Sequence, residues 1–154
     1  MKRSIIYWIL AAVITVGAAV YQRTTGPSYP IRGSVELNGK SVKYELDRSH
    51  PGEKDHTVKI AIDDPSVSGI LEWKRFKSPD DWTSVPMTSQ AGILSADLPH
   101  QPPAGKLEYR VTLRDAERAQ TLPTAVIRFR GDVPAPILVT HVGLMFIMGG
   151  IAGT

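Results

Sequence analysis

Two apolar runs enclose a long stretch in which hydrophobic and polar residues alternate. Residues 5–20 read IIYWILAAVITVGAAV, and residues 133–154 read VPAPILVTHVGLMFIMGGIAGT; neither run holds a formal charge. Between them the period is two, as expected of strands with one buried face. Gly33, Val35 and Leu37 share one side of a first strand, against Arg32, Ser34 and Glu36. Val42, Tyr44 and Leu46 return on the apolar side, and Asn38-Gly39 between them tolerates the positive φ angles of a type I′ hairpin turn. Val58, Ile60 and Ile62 make a third strand. Further apolar sets follow at Leu71 and Trp73, at Leu94, Ala96 and Leu98, at Leu107, Tyr109, Val111 and Leu113, and at Ile127 and Phe129. Residues 49–55 read as a loop and 115–122 as a turn, both being polar and without an apolar period.

About seven or eight short strands with turns between them predict an all-β sandwich of antiparallel strands with Greek-key connections. Facing two sheets against each other buries both apolar sides, which one sheet alone cannot do. The chain therefore divides into an N-terminal transmembrane anchor (1–23), a Gly/Pro-punctuated linker (24–30), the sandwich (31–132) and a second transmembrane helix (133–154). At ~1.5 Å per residue, 18 residues reach roughly 27 Å and 22 reach roughly 33 Å, against a hydrocarbon core of about 30 Å. A cleaved signal peptide, cut after Ala18, is the alternative for the first run. The second run reaches residue 154 without a polar flank, which leaves a longer protein open.

Charge adds an address. All 15 Asp and Glu residues, with 15 of the 18 Lys and Arg, lie between Thr24 and Asp132, so the sandwich is neutral and the excess sits on Lys2, Arg3 and Arg23. Basic residues beside an apolar run are topology signals, not a phosphate-binding face, and nucleic acid is excluded as a partner. Lys2-Arg3 places the N-terminus in the cytoplasm, the sandwich in the periplasm and both helices in a bacterial inner membrane. There is no cysteine, hence no disulfide framework, thiolate metal site or cysteine nucleophile.

Within the central stretch, the segments LEWKRF, DDWTSVPM, AGILSADLP and PPAGKLEYRVTLRD resemble those of bacterial immunoglobulin-like and fibronectin type III-like modules. The resemblance covers about a third of the chain. It implies that Trp73 is the core tryptophan and that Leu98 and Tyr109 frame a tyrosine corner, the Tyr109 hydroxyl bonding nearby backbone. It implies no ligand.

The candidate chemistry is thin. His141 lies inside the second apolar run, where ionisable groups face protein, water or a cofactor; it is the one candidate haem or chlorophyll ligand, against a plain reading as a histidine bonded to a neighbouring helix. Ala11, Thr15 and Ala19 form a small-residue ridge on the first helix, and Gly149 and Gly153 form one on the second; such ridges let helices approach closely, whether each other or partner subunits. Phe76, Trp82 and Ile70 fall off the inward alternation and are candidate contact residues at an exposed surface. His50 and His56 flank Asp55 without zinc-site spacing and read as solvated loop residues, so no metal site is expected. Arg110, Arg114, Arg128 and Arg130 read as a solvated stripe. No nucleophile with an oriented base is visible, and the chain is expected not to be an enzyme. The expected function is an accessory or scaffolding subunit that docks onto other integral membrane subunits within the lipid bilayer, a respiratory or photosynthetic assembly being one version. A haem- or chlorophyll-ligating subunit and an envelope polymer- or glycan-binding module are the alternatives.

Overall fold

The computed structural model describes residues 2–116 and 118–151, with side chains from 5 to 145 apart from residue 117. A helix, α1 (Lys2–Thr25), leads into eleven strands: β1 (Ile31–Leu37), β2 (Lys40–Leu46), β3 (Ser49–Pro51), β4 (His56–Ala61), β5 (Ser68–Arg75), β6 (Thr83–Pro86), β7 (Thr88–Gln90), β8 (Ile93–Leu98), β9 (Lys106–Arg114), β10 (Ala119–Thr121) and β11 (Ala125–Arg130). A second helix, α2 (Ala135–Ile151), follows.

One layer runs β3-β11-β9-β5-β6, with β10 also paired to β9. The other is built from β4-β8-β7, with the β1-β2 hairpin lying alongside β4 through β2. The hairpin turn is the expected one: Asn38 and Gly39 have φ of 49° and 70°, the conformation that type I′ requires. Alternation sends every second residue inward. Val35, Leu46, Val58, Ile60, Leu94 and Leu98 from one layer meet Leu71, Leu107, Val111, Leu113, Ile127 and Phe129 from the other in a single core. At roughly 25 cal/mol per Å² of apolar area removed from water, this interdigitation is the main stabilising contribution.

Several expectations need correction. The polar segments at 49–55 and 115–122 each contain a three-residue strand, β3 and β10. Both add an edge to a larger sheet, so sheet hydrogen bonding overrides a weak local preference. Strand β3 pairs with β11 in parallel, Ser49 opposite Arg128 and Pro51 opposite Arg130, so the sheet is not wholly antiparallel. Trp73 packs on the core edge and is only half buried, because it pairs with Thr83 on the short edge strand β6, which leaves the indole partly uncovered. The Tyr109 hydroxyl does bond backbone, but its acceptor is the Asp47 carbonyl, 62 residues away.

Of the two apolar runs, one yields a helix long and apolar enough to cross a membrane: 21 residues, Ile5–Thr25, of mean hydropathy 1.9 and exposed on all sides. Helix α2 starts at Ala135 and has 17 residues, about 25 Å at 1.5 Å per residue, short of the ~30 Å hydrocarbon core. The expectation of two spanning helices is thus met by one among the described residues. Pro134 and Pro136 explain the late start, since proline is tolerated only where its missing amide would be unpaired anyway.

Candidate functional site

Strands β5 and β9 pair along eight positions, with Ile70 opposite Thr112, Glu72 opposite Arg110 and Lys74 opposite Glu108. Their partners one residue away, Leu71, Val111 and Tyr109, fill the core. The pleat therefore turns Ile70, Glu72, Lys74, Glu108, Arg110 and Thr112 to the outer face. Arg110 forks onto Glu72, with Nε and Nη2 donating at 2.9 and 3.1 Å. That fork holds the Glu72 carboxyl below its ordinary pKa and the guanidinium in its charged form.

Trp82 comes over this face from the segment before β6. The Arg110 guanidinium carbon lies 4.4 Å from its ring centroid and the Lys74 ammonium 5.1 Å, both within cation–π range. The 76–82 loop that delivers Trp82 is braced by Arg75, which donates twice to Asp80 at 2.6 and 3.1 Å. With a further bond to Ser78, this lowers the Asp80 pKa to about 2. Phe76 sits beside the same loop with the Lys77 and Lys106 ammonium groups 5.6 and 5.5 Å from its ring. Lys77 adopts φ of 57°, a conformation uncommon outside glycine and a mark of a tightly specified loop. Ile70, 40% exposed, extends the face on its far side. Ile70 thus lies on the outer face of β5, whereas Phe76 and Trp82 lie in the loop after it and are half-buried. The arrangement gathers two aromatic rings and four cations on one side of the sheet; among the described residues it holds no nucleophile paired with a base.

A second cluster lies where the chain passes from β2 in one layer to β3 in the other. His56 opens β4 in phase with Val58 and Ile60 and is buried. Its Nδ1 is 3.2 Å from His50 Nδ1. His50 Nε2 is 3.1 Å from the Lys54 carbonyl, and His56 Nε2 is 3.5 Å from the Asp47 carboxylate. Burial lowers the His56 pKa, with Asp47 opposing. His50 and His100 each set their ring near-perpendicular to Phe129, with centroids 5.6 Å apart. His100 Nδ1 is buried without a protein partner among the described residues. The reading of His56 as a solvated loop residue is overturned, and His50 stands on strand β3, half-buried. The missed signal is phase: the alternation at 58, 60 and 62 carries back to His56.

The remaining candidates are not brought together. His141 is exposed on α2, on one helix face with Pro136, Ile137, Thr140 and Leu144, and belongs to no cluster of three or more His, Cys, Asp or Glu side chains among the described residues. Ala11, Thr15 and Ala19 lie exposed on α1, where the Thr15 hydroxyl donates to the Ala11 carbonyl at 2.8 Å. Gly149 falls within α2 and Gly153 lies outside the described residues. Arg110, Arg114, Arg128 and Arg130 occupy outer positions of β9 and β11, but Arg110 is tied to Glu72 and Trp82, so they do not act as one stripe.

No family model matches the chain, and no curated protein matches it. Among solved structures it is similar to a Br derivative of BhCBM56, at 13% identity and a TM-score of 0.42 over 62% of this chain and 97% of that one. It is also similar to the chicken CNTN1 FN1–FN3 domains, at 15% identity and 0.39 over 67% of this chain and 44% of that one. The sandwich assignment rests on the strand pairing and the shared core described above.

Proposed function

We propose that this chain is a non-catalytic, membrane-tethered docking module. Helix α1 anchors it in a bacterial inner membrane with the N-terminus cytoplasmic and the sandwich periplasmic, α2 packs within or against the same bilayer, and the sandwich contacts other integral membrane subunits. Support for the anchor is the uniform exposure of apolar side chains on α1, from Leu10 at 53% to Trp8 at 76%, which lipid would cover. The observation that carries the docking role is Trp82, held over Arg110 and Lys74 on an outer sheet face by the Arg75–Asp80 brace. An aromatic and an arginine fixed in place before binding cost little ordering entropy, and these residue types dominate interface hot spots.

Purification from native membranes in mild detergent tests the docking role. Wild-type chain is expected to emerge with partner subunits, and Trp82→Ala with Arg110→Ala to lose them while the sandwich stays folded. Recovery of wild type solely as a monodisperse monomer contradicts it. Sidedness is tested separately: the chain has no cysteine, so Ser68→Cys gives one thiol, expected to react with an impermeant reagent from the periplasmic side.

A further inference from the structure

The β2–β3 corner sets two imidazoles beside each other, ring centroids 4.9 Å apart and planes tilted by 59°, and their outer nitrogens each face an acceptor. The Lys54 carbonyl can only accept, so the hydrogen of neutral His50 sits on Nε2, 3.1 Å away. The Asp47 carboxylate, 3.5 Å from His56 Nε2, favours hydrogen on that nitrogen too, and burial favours the neutral ring. With the His56 hydrogen on Nε2, both Nδ1 atoms present lone pairs across 3.2 Å, an arrangement that a cation between them stabilises; with it on Nδ1, the same separation is an N–H···N bond from His56 to His50.

The separation suits a metal. Two nitrogens each ~2.0–2.1 Å from one ion lie about 2.9 Å apart at the right angle of a tetragonal Cu²⁺ site and about 3.3 Å apart at a tetrahedral angle, and the observed 3.2 Å falls between the two. The outer contacts are of the kind that orient ligating histidines, a backbone carbonyl on one ring and a carboxylate on the other. The Phe129 ring, edge-on to His50, closes one side.

We propose that His50 Nδ1 and His56 Nδ1 form a two-nitrogen site for a borderline divalent cation, Cu²⁺ ahead of Zn²⁺ by the usual affinity order. Among the described residues no three His, Cys, Asp or Glu side chains converge, so water or a partner's donor completes the coordination. His50 lies on β3 of one layer and His56 on β4 of the other. An ion between them stitches the two sheets at the corner. This site is independent of the docking face and stands or falls apart from it.

The test is titration of the full chain in detergent with CuCl₂ and ZnCl₂, comparing wild type with His50→Asn and His56→Asn. The expected result is one Cu²⁺ per chain, an electron paramagnetic resonance spectrum with coupling to two nitrogens, and a raised Tm. Cu²⁺ is expected to bind at least tenfold more weakly in His50→Asn, and Zn²⁺ to bind wild type more weakly than Cu²⁺ does. His50 is partly exposed, so His50→Asn carries the test even if His56→Asn fails to fold. The proposal is overturned if no saturable Cu²⁺ binding occurs, if binding and nitrogen coupling are unchanged in His50→Asn, or if the pair takes up a proton only, with ring NMR signals that respond to pH and not to metal.

Discussion

Strand β9 and helix α1 use the same kinds of residue and treat them in opposite ways. Leu107, Val111 and Leu113 are fully buried, whereas Leu10, Val13 and Ile14 are more than half exposed. In β9 the period of two divides the strand between a core face and a charged face, and a second sheet covers the core side. In α1 apolar residues cover every side, so no protein surface of the described chain removes them from water. The sandwich carries its own solvent for apolar side chains, and the helix needs one supplied. The two faces of β9 differ in the same way: the inward one is core, and the outward one carries the Arg110–Glu72 ion pair beneath Trp82.

The strongest way to break the comparison is a matched pair of truncations. Leu107→Ala is expected to cost the sandwich about 2–5 kcal/mol, the range for emptying a fully buried leucine site, whereas Leu10→Ala is expected to leave its Tm unchanged. Thermal denaturation followed by near-ultraviolet circular dichroism measures both; equal losses would mean that α1 packs on the domain. Tyr109→Phe comes next. It removes the bond to the Asp47 carbonyl and is expected to lower stability by about 1–2 kcal/mol, part of that being the carbonyl left unpaired. Chemical denaturation should show it as a shifted midpoint at constant slope.

Trp82→Ala and Arg110→Ala should barely touch stability, each costing no more than about 1 kcal/mol because the cluster is open to solvent screening. A larger loss would make the cluster a structural brace and not a docking face. The smallest effect is on acid titration. Asp64 is held at a pKa of about 2 by bonds from the Ser66 hydroxyl, Asn38 and the Ser66 amide, and Asp80 at about 2 chiefly by Arg75. Both folded values lie below the unfolded one near 3.8, so each contributes stability above pH ~4 that fades as pH falls toward 2. Asp64→Asn should flatten the stability curve in that window, lowering stability at neutral pH and leaving it nearly unchanged near pH 2.

Much of this was legible from the residues. The inward sets at 35/37, 42/46, 58/60/62, 94/96/98 and 107–113 are all buried as their phase demands, because each strand repeats its pattern long enough to fix which face is apolar. Asn38-Gly39 dictated its turn by backbone sterics alone. What escaped was short or non-local. Strands β3 and β10 are three residues each, too brief for a period, and exist because β11 and β9 offer them an edge. The His50–His56 contact joins two layers, so no spacing along the chain announces it. The hidden signal at Trp82 was its cation partners: Lys74 and Arg110 fall on outward positions of two strands that only pairing brings side by side.

The contrast between sandwich and helix is tested most directly by the three tryptophans, one in α1 and two in the sandwich. Trp73→Phe with Trp82→Phe leaves Trp8 as the sole indole; Trp8→Phe with Trp82→Phe leaves Trp73. Each variant is reconstituted in vesicles containing lipids brominated along the acyl chain, and fluorescence quenching is measured. The account predicts strong quenching of Trp8 and none of Trp73 beyond that seen with unbrominated lipid. Equal quenching of the two, or none of Trp8, would contradict it.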